Sequence, residues 1–311
     1  MDGVFPFLKP PGITSHDAVG ICRRLLKERR IGHSGTLDPL AYGVLPIFVG
    51  KATRIIEFTE SMTKTYVAEG RFGYGTDTED ITGNPLQAEI TPTTIPTWEE
   101  LGAIVASFTG KQDQTPSIYS AIKINGRRAY ELAREGVEFT LPARTIEITE
   151  CTLLAYAYPY FTIRVTCSAG TYIRALLRDI EARVGIPATM TQLARTAVGE
   201  YTIDKAVTAE ELAEKGEALV GATDSALMHL QPVNVSENGF IALKQGKQWP
   251  YTKIDGFHGE VDRLYRAYND AGFFGIVSGT DTGLKVVKKY FLIGLMYEDL
   301  NILCRVTTIT I

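Results

Sequence analysis

The stretch from Phe161 to Val184 constrains the fold most, because its hydrophobic repeat changes period within a few residues. Phe161, Ile163, Val165 and Cys167 alternate with Thr162, Arg164, Thr166 and Ser168, the pattern of a strand with one polar face, and Gly170 ends it. From Thr171 onward, Ile173, Leu177, Ile180 and Val184 recur at helical spacing, with Arg174, Arg178 and Glu181 directed away from that stripe. A half-buried strand running straight into an amphipathic helix calls for a sheet with helices packed on it. It also sets Arg174 in the first turn after a strand.

Other segments fit the same plan. Thr14-Ser15-His16-Asp17 reads as a capping box opening a helix that runs to about Arg30, with Val19, Cys22 and Leu26 on one face. Lys64 to Phe72 reads as a strand, and Thr76-Asp77-Thr78-Glu79-Asp80 as a polar loop. Thr97 and Glu100 form a second capping box before the stripe of Leu101, Ile104, Val105 and Phe108. Gly32, Gly35, Pro39, Gly43, Pro46 and Gly50 make a structured loop region with room for a short strand at Val44 to Val49. Together these elements predict an α+β domain whose mixed, largely antiparallel sheet is flanked by helices. Thr208 and Glu211 begin a short helix, after which the pattern weakens from Gly216 to Val235. Beyond it, Tyr265 to Tyr268 and Phe273 to Val277 flank Asn269-Asp270-Ala271-Gly272 as a hairpin of a small β-rich unit. The expected division is a domain at 1–225, a second at 235–290 and a tail at 291–311.

Composition excludes more than it selects. Hydrophobic residues at 45% and charged residues at 22% of 311 are ordinary globular values. Cys22, Cys151, Cys167 and Cys304 are scattered, so neither a disulfide framework nor a zinc site is indicated. No basic n-region precedes the short apolar start, and Phe291 to Tyr297 is too short for a membrane span, so the chain reads as cytoplasmic. No phosphate loop, dinucleotide fingerprint or internal repeat occurs. The net charge of −4 argues mildly against a nucleic-acid partner, yet Arg23, Arg24, Lys27, Arg29 and Arg30 crowd one segment.

The glycine-rich segment decides the matter. Gly32 to Gly50, with His33, Gly35, Leu37, Asp38, Pro39, Gly43, Leu45 and Pro46, resembles the TruB family of pseudouridine synthases. The resemblance spans roughly two thirds of the chain through separated motifs. Lys9-Pro10-Pro11-Gly12-Ile13-Thr14-Ser15 is similar to the family's opening motif, and Lys64-Thr65-Tyr66 to its tyrosine motif. Pro116 to Lys123, with Gly126, Arg127, Tyr130, Glu131 and Arg134, resembles the central motif facing RNA. Cys167 to Arg174, followed by Leu193 and Arg195, resembles the arginine motif and what lies beyond it.

This likeness implies isomerisation of uridine 55 in the TΨC loop of tRNA, without cofactor, metal or protein partner. The reaction breaks the ribose C1'–N1 bond, turns the uracil and joins C1' to C5, and needs an ionised carboxylate as nucleophile or base. Asp38 takes that role, although an isolated Asp-Pro pair would read only as a turn. Arg174 is expected as its bidentate partner. Tyr66 and Tyr172 would offer faces to an extruded uracil, with Tyr66 also a candidate general base. His33 would meet the target loop, and Leu193 would form an apolar wall. Lys9, Lys51, Arg54, Arg127 and Arg128 are candidates for phosphate contacts. The C-terminal unit resembles the family's PUA-like RNA-binding appendage.

Two departures from the family stand out: Tyr42 replaces the usual Thr or Ser, and the chain continues past Val287 to Ile311. A non-catalytic tRNA-binding module and a nucleoside hydrolase using Asp38 are the competing readings.

Overall fold

The computed structural model describes residues 1–120 and 122–289. Ala121 of the central motif and the tail expected at 291–311 lie outside the described residues.

In chain order the strands are β1 Gly3–Lys9, β2 Ile31–His33, β3 Tyr42–Val49, β4 Lys64–Phe72, β5 Gly110–Gln114, β6 Lys123–Ile124 and β7 Arg127–Arg128. They continue with β8 Arg144–Ala157, β9 Tyr160–Cys167, β10 Ala188–Val198, β11 Tyr201–Thr202, β12 Gln231–Asn234, β13 Trp249–Pro250, β14 Leu264–Asn269, β15 Gly272–Gly279 and β16 Gly283–Lys289. The α-helices are α1 Ser15–Leu26, α2 Trp98–Ala106, α3 Ala129–Arg134, α4 Ile173–Val184, α5 Ala209–Lys215 and α6 Glu237–Lys244.

A nine-stranded sheet in the order β1-β3-β10-β4-β9-β8-β5, with β2 and β11 at its side, carries the first domain. Its pairs are antiparallel except for β3 with β10, which makes the sheet mixed but largely antiparallel as expected. Alternation along β9 sends Phe161, Ile163, Val165 and Cys167 into the core, where α2 and α4 cover β8, β9 and β10. Helices α1 and α5 cover β1 and β3 through Ala18, Val19, Cys22 and Leu212. A five-stranded sheet, β12-β14-β15-β16-β13, forms the C-terminal unit, and Ile276 of β15 joins a core with Val4, Phe48, Ile55 and Leu227. Among the described residues no helix is long and apolar enough to cross a membrane.

Of the four expected helix starts, three carry reciprocal capping boxes, Thr14 with Asp17, Thr97 with Glu100 and Thr208 with Glu211, and α4 starts after Tyr172 without a side-chain cap. One expectation needs correction. Helix α1 stops at Leu26 rather than near Arg30, because Lys27 takes a left-handed conformation (φ 53°) that ends the hydrogen-bond ladder. The strand expected at Val44 to Val49 forms, starting two residues earlier at Tyr42, and is buried at every residue after Tyr42. Leu45, Ile47 and Val49 face α1, whereas Phe48 faces the C-terminal unit and Val44 packs on Met62 and Val198. A strand buried on both faces is apolar throughout and shows no alternation to read.

Register decides what the sheet presents. Arg195 on β10 lies opposite Tyr66 on β4 and Gly43 on β3, so three strands share one rung, and Leu193 stands two residues away opposite Ala68. Gly43 has φ 116°, and a Cβ there would lie 2.2 Å from the Arg195 carbonyl oxygen. Gly43→Ala is therefore expected to cost at least ~2 kcal/mol of unfolding free energy. A denaturation midpoint matching wild type would show that the β3–β10 rung can spread at no cost.

Candidate active site

At the end of this rung opens a cleft of about 650 Å³, lined among others by His33, Asp38, Tyr66, Ser120, Tyr172, Arg174, Leu193 and Arg195. All six residues expected at the substrate or the chemistry therefore meet in one place. The loop that carries Asp38 is held by its backbone. Ser15 Oγ accepts from the Leu37 N–H at 2.8 Å and donates to the Leu37 carbonyl at 3.1 Å. The Gly12 N–H donates to the Pro39 carbonyl at 2.8 Å, and Lys9 Nζ donates to the Ala41 carbonyl at 2.7 Å. Arg195 completes the cradle, with Nη2 donating to the Gly35 carbonyl at 2.9 Å and Nε to the Val44 carbonyl at 2.8 Å. The opening motif and Arg195 are thus the mount of the Asp38 loop.

Arg174 rises from the first turn of α4. Gln114, almost fully buried, holds that helix start: its side-chain amide accepts from the Tyr172 N–H at 2.8 Å and donates to the Tyr172 carbonyl at 3.1 Å. Arg174 does leave the apolar stripe, but it points into the protein and is 7% exposed. The expected bidentate pair with Asp38 is not what forms. Only Nη2 meets Asp38, at 3.0 Å, and it also donates to the Tyr119 carbonyl at 3.2 Å. Nη1 donates to the Thr78 carbonyl at 3.0 Å and lies 3.8 Å from Asp80 Oδ2. The guanidinium is shared because a second buried carboxylate competes for it.

Sequence reading missed that carboxylate. Asp80 is 8% exposed in its side chain, and its Oδ1 accepts from the Thr82 N–H at 2.9 Å and from the Thr78 and Thr82 hydroxyls. Its only signal was a polar loop rich in Thr and Asp, the usual mark of a solvated turn. Arg178 braces the same loop by an ion pair with Glu79 at 2.7 Å.

The aromatic and basic groups sort by environment. Burial pushes the Tyr66 phenol up, against the opposing charge of Arg195, so Tyr66 is protonated near neutrality and suited to stacking or donation rather than to acting as a free phenolate base. The Tyr172 ring lies 5.3 Å from the Arg144 guanidinium. His33 is lowered by burial, then by Arg195 and His16, which keeps its imidazole neutral, and its buried Nδ1 has no hydrogen-bond partner among the described residues. Leu193 is buried at the cleft wall. Lys64 is lowered to about 8 by burial, and its Nζ donates to the Glu60 carbonyl at 2.7 Å.

Among the expected phosphate contacts, Lys9 needs correction: it is 0% exposed, and its ammonium is spent on the Ala41 and Pro10 carbonyls. Lys51 lies 3.8 Å from the Asp2 carboxylate, and Arg127 pairs with Glu135. Arg54 and Arg128 are exposed. Among the described residues no group of three or more His, Cys, Asp or Glu is arranged to hold a metal ion.

Burial gives Lys9 a measurable signature. Its pKa falls from 10.5 to about 8, the desolvation outweighing the attraction of Asp38. Between those values the unfolded chain binds the proton that the folded chain has lost, so the Lys9 contribution to stability rises with pH. The unfolding free energy of wild type relative to Lys9→Met is expected to increase by roughly 1 to 3 kcal/mol between about pH 8 and pH 10.5. A pH-independent difference would mean that Lys9 is solvated.

Residues 23–173 match the TruB family pseudouridylate synthase N-terminal domain. The chain is 38% identical over 304 residues to tRNA pseudouridine synthase B of Alkaliphilus oremlandii, covering 96% of this chain and 99% of that protein. It is 43% identical over 257 residues to tRNA pseudouridine synthase B of Bacillus cytotoxicus, covering 79% of this chain and 83% of that one. Its fold is similar to a chain in the crystal structure of a Cbf5-Nop10-Gar1 complex, at a TM-score of 0.74 and 23% identity over 93% of this chain and 85% of that chain. On this identity and coverage, the chain belongs to the TruB family of pseudouridylate synthases.

Proposed function

We propose that this member of the family converts uridine 55 in the TΨC loop of tRNA to pseudouridine, with Asp38 as the catalytic carboxylate acting on a uridine turned out of its loop. That the relatives share the name tRNA pseudouridine synthase B supports tRNA as the substrate. The observation that carries the role of Asp38 is its setting: a carboxylate 38% exposed, on a loop fixed at Leu37, Pro39 and Ala41, and directed by a buried guanidinium at 3.0 Å.

The chemistry fits that setting. Asp38 attacks the sugar or the base, the C1'–N1 bond breaks, and the freed uracil turns within the cleft. C5 then bonds to C1', the bond to Asp38 breaks and returns the free carboxylate, the proton on C5 leaves and N1 ends protonated, so nothing is oxidised and no group is lost. Tyr66 and Tyr172 supply faces for the uracil, worth about 1–3 kcal/mol per stacked base, and Leu193 closes the wall. Turning the base out costs a few kcal/mol of stacking, which phosphate contacts such as those of Arg54 and Arg128 offset. The five-stranded C-terminal sheet is the PUA-like RNA-binding unit of this reading, and 1–225 the catalytic unit.

Asp38→Asn is expected to lower pseudouridine formation in an unmodified TΨC stem-loop by at least ~10³-fold, with the RNA affinity held within about threefold. Chemical labelling of pseudouridine reads the first quantity and fluorescence anisotropy the second. Wild-type turnover in the variant would remove Asp38 from the chemistry. Release of free uracil by the unaltered protein would make the activity hydrolytic, and binding without product would make the chain a tRNA-binding module.

A further inference from the structure

One charged surface plays no part in the cleft. Residues 23–30 hold Arg23, Arg24, Lys27, Arg29 and Arg30 against the single acid Glu28, in a chain whose net charge is −4. Arg23, Arg24, Lys27 and Arg29 line, with Gly20 and Glu28, a shallow concavity of about 590 Å³ at the end of α1.

The helix dipole accounts for Arg23 and Arg24 in the last turn of α1, since cations there face unpaired carbonyls. It does not account for Lys27, Arg29 and Arg30, which lie past the point where the helix ends. Arg24, Lys27 and Arg29 are exposed and form no ion pair with any described residue. Glu28 accepts from the Arg30 N–H at 2.8 Å, which engages one of its oxygens. Arg23 is oriented by donating from Nη2 to the Ile31 carbonyl at 3.0 Å, while its buried Nε has no partner among the described residues. Concentrated, partly oriented and unpaired cations around a concavity match a row of phosphates.

Position selects which phosphates. Strand β2 runs from Ile31 to His33, and His33 lines the cleft. The four residue steps from Arg29 to His33 span no more than about 14 Å even when fully extended. The surface therefore lies within a distance of the cleft edge that the stem of an RNA whose loop fills the cleft can span.

We infer that the concavity at the end of α1 is a second phosphate-binding surface, holding the backbone of the stem next to the target loop. This rests on the cleft being a tRNA site. The surface adds affinity and orientation without touching the reacting base, because phosphate contacts position and carry no sequence information.

The test uses the full chain with Arg24→Gln/Arg29→Gln, and as a charge-matched control Lys111→Gln/Lys205→Gln, two exposed lysines outside this surface. Affinity for an unmodified TΨC stem-loop transcript is measured by anisotropy across a salt series. The surface variant is expected to bind about tenfold or more weakly at low salt, with the slope of log Kd against log salt reduced by about 1.5 to 2. The control keeps the wild-type slope, and pseudouridine formation at saturating RNA stays within about twofold of wild type. For a single-stranded oligonucleotide of the loop alone, surface variant and wild type bind equally.

A wild-type slope in the surface variant, or an equal loss in the control, overturns the inference. Equal weakening on the loop oligonucleotide overturns the assignment to the stem. Failure of the wild-type protein to form pseudouridine would sink the functional reading alone, because the slope is a binding measurement that needs no turnover.

Discussion

The buried guanidinium of Arg174 is the charge around which the site is arranged. Taking an ion out of water costs several kcal/mol unless opposite charge and hydrogen bonds replace its solvation. Here the replacements come from separate parts of the chain: Asp38 from the loop after β2, Asp80 and the Thr78 carbonyl from the loop after β4, and the Tyr119 carbonyl from the segment before β6. Each segment satisfies part of one cation, so ordering the loops and solvating the charge are the same event. Asp80 is enclosed and Asp38 is 38% exposed, so the two carboxylates divide the work. The covered one neutralises and the open one is left facing the cleft.

Much of this was legible in the amino-acid sequence, for reasons that differ by element. The period change at Gly170 located β9 and α4, because alternation and helical spacing are local properties. The capping boxes at Thr14 and Thr97, and Thr208 with Glu211, located helix starts for the same reason. Strand β3 was harder, since burial on both faces erases alternation. The end of α1 was missed because Lys27 adopts a left-handed cap without the glycine that usually signals one.

The site residues divide in a similar way. The approximate company of Asp38, Arg174, Tyr66, Tyr172, His33 and Leu193 was readable from motifs, and all of them line one cleft. Their detailed partnerships were not. Asp80 comes within 3.8 Å of Arg174 although 94 positions separate them, and a threonine-rich turn looks the same whether its carboxylate faces solvent or a buried arginine. Lys9 looked like a phosphate ligand because exposed lysine is the rule. Its burial follows from the β1–β3 register, which places it opposite Gly43 and beneath the Ala41 carbonyl. Arg195 was noted only for its spacing, yet it is 1% exposed and joins the Gly35 and Val44 carbonyls.

These partnerships separate two tasks that share one sign of charge. Every cation beneath the cleft is committed to the protein: Arg174 to two carboxylates and two carbonyls, Arg195 to Gly35 and Val44, Lys9 to Pro10 and Ala41, and Lys64 to Glu60. Their donors are aimed inward, and a phosphate drawn to them would have to break bonds that hold the Asp38 loop in place. His33, kept neutral by burial and by Arg195, adds no formal charge at the entrance. The interior therefore favours an uncharged base over the charged backbone that carries it. On the proposed function, attraction for the backbone would come from the rim and beyond, where arginines such as Arg24, Arg29 and Arg54 are exposed. On that same reading, buried cations build the site and exposed ones meet the RNA, a division by which a chain of net negative charge can bind a polyanion without disturbing the Asp38 loop.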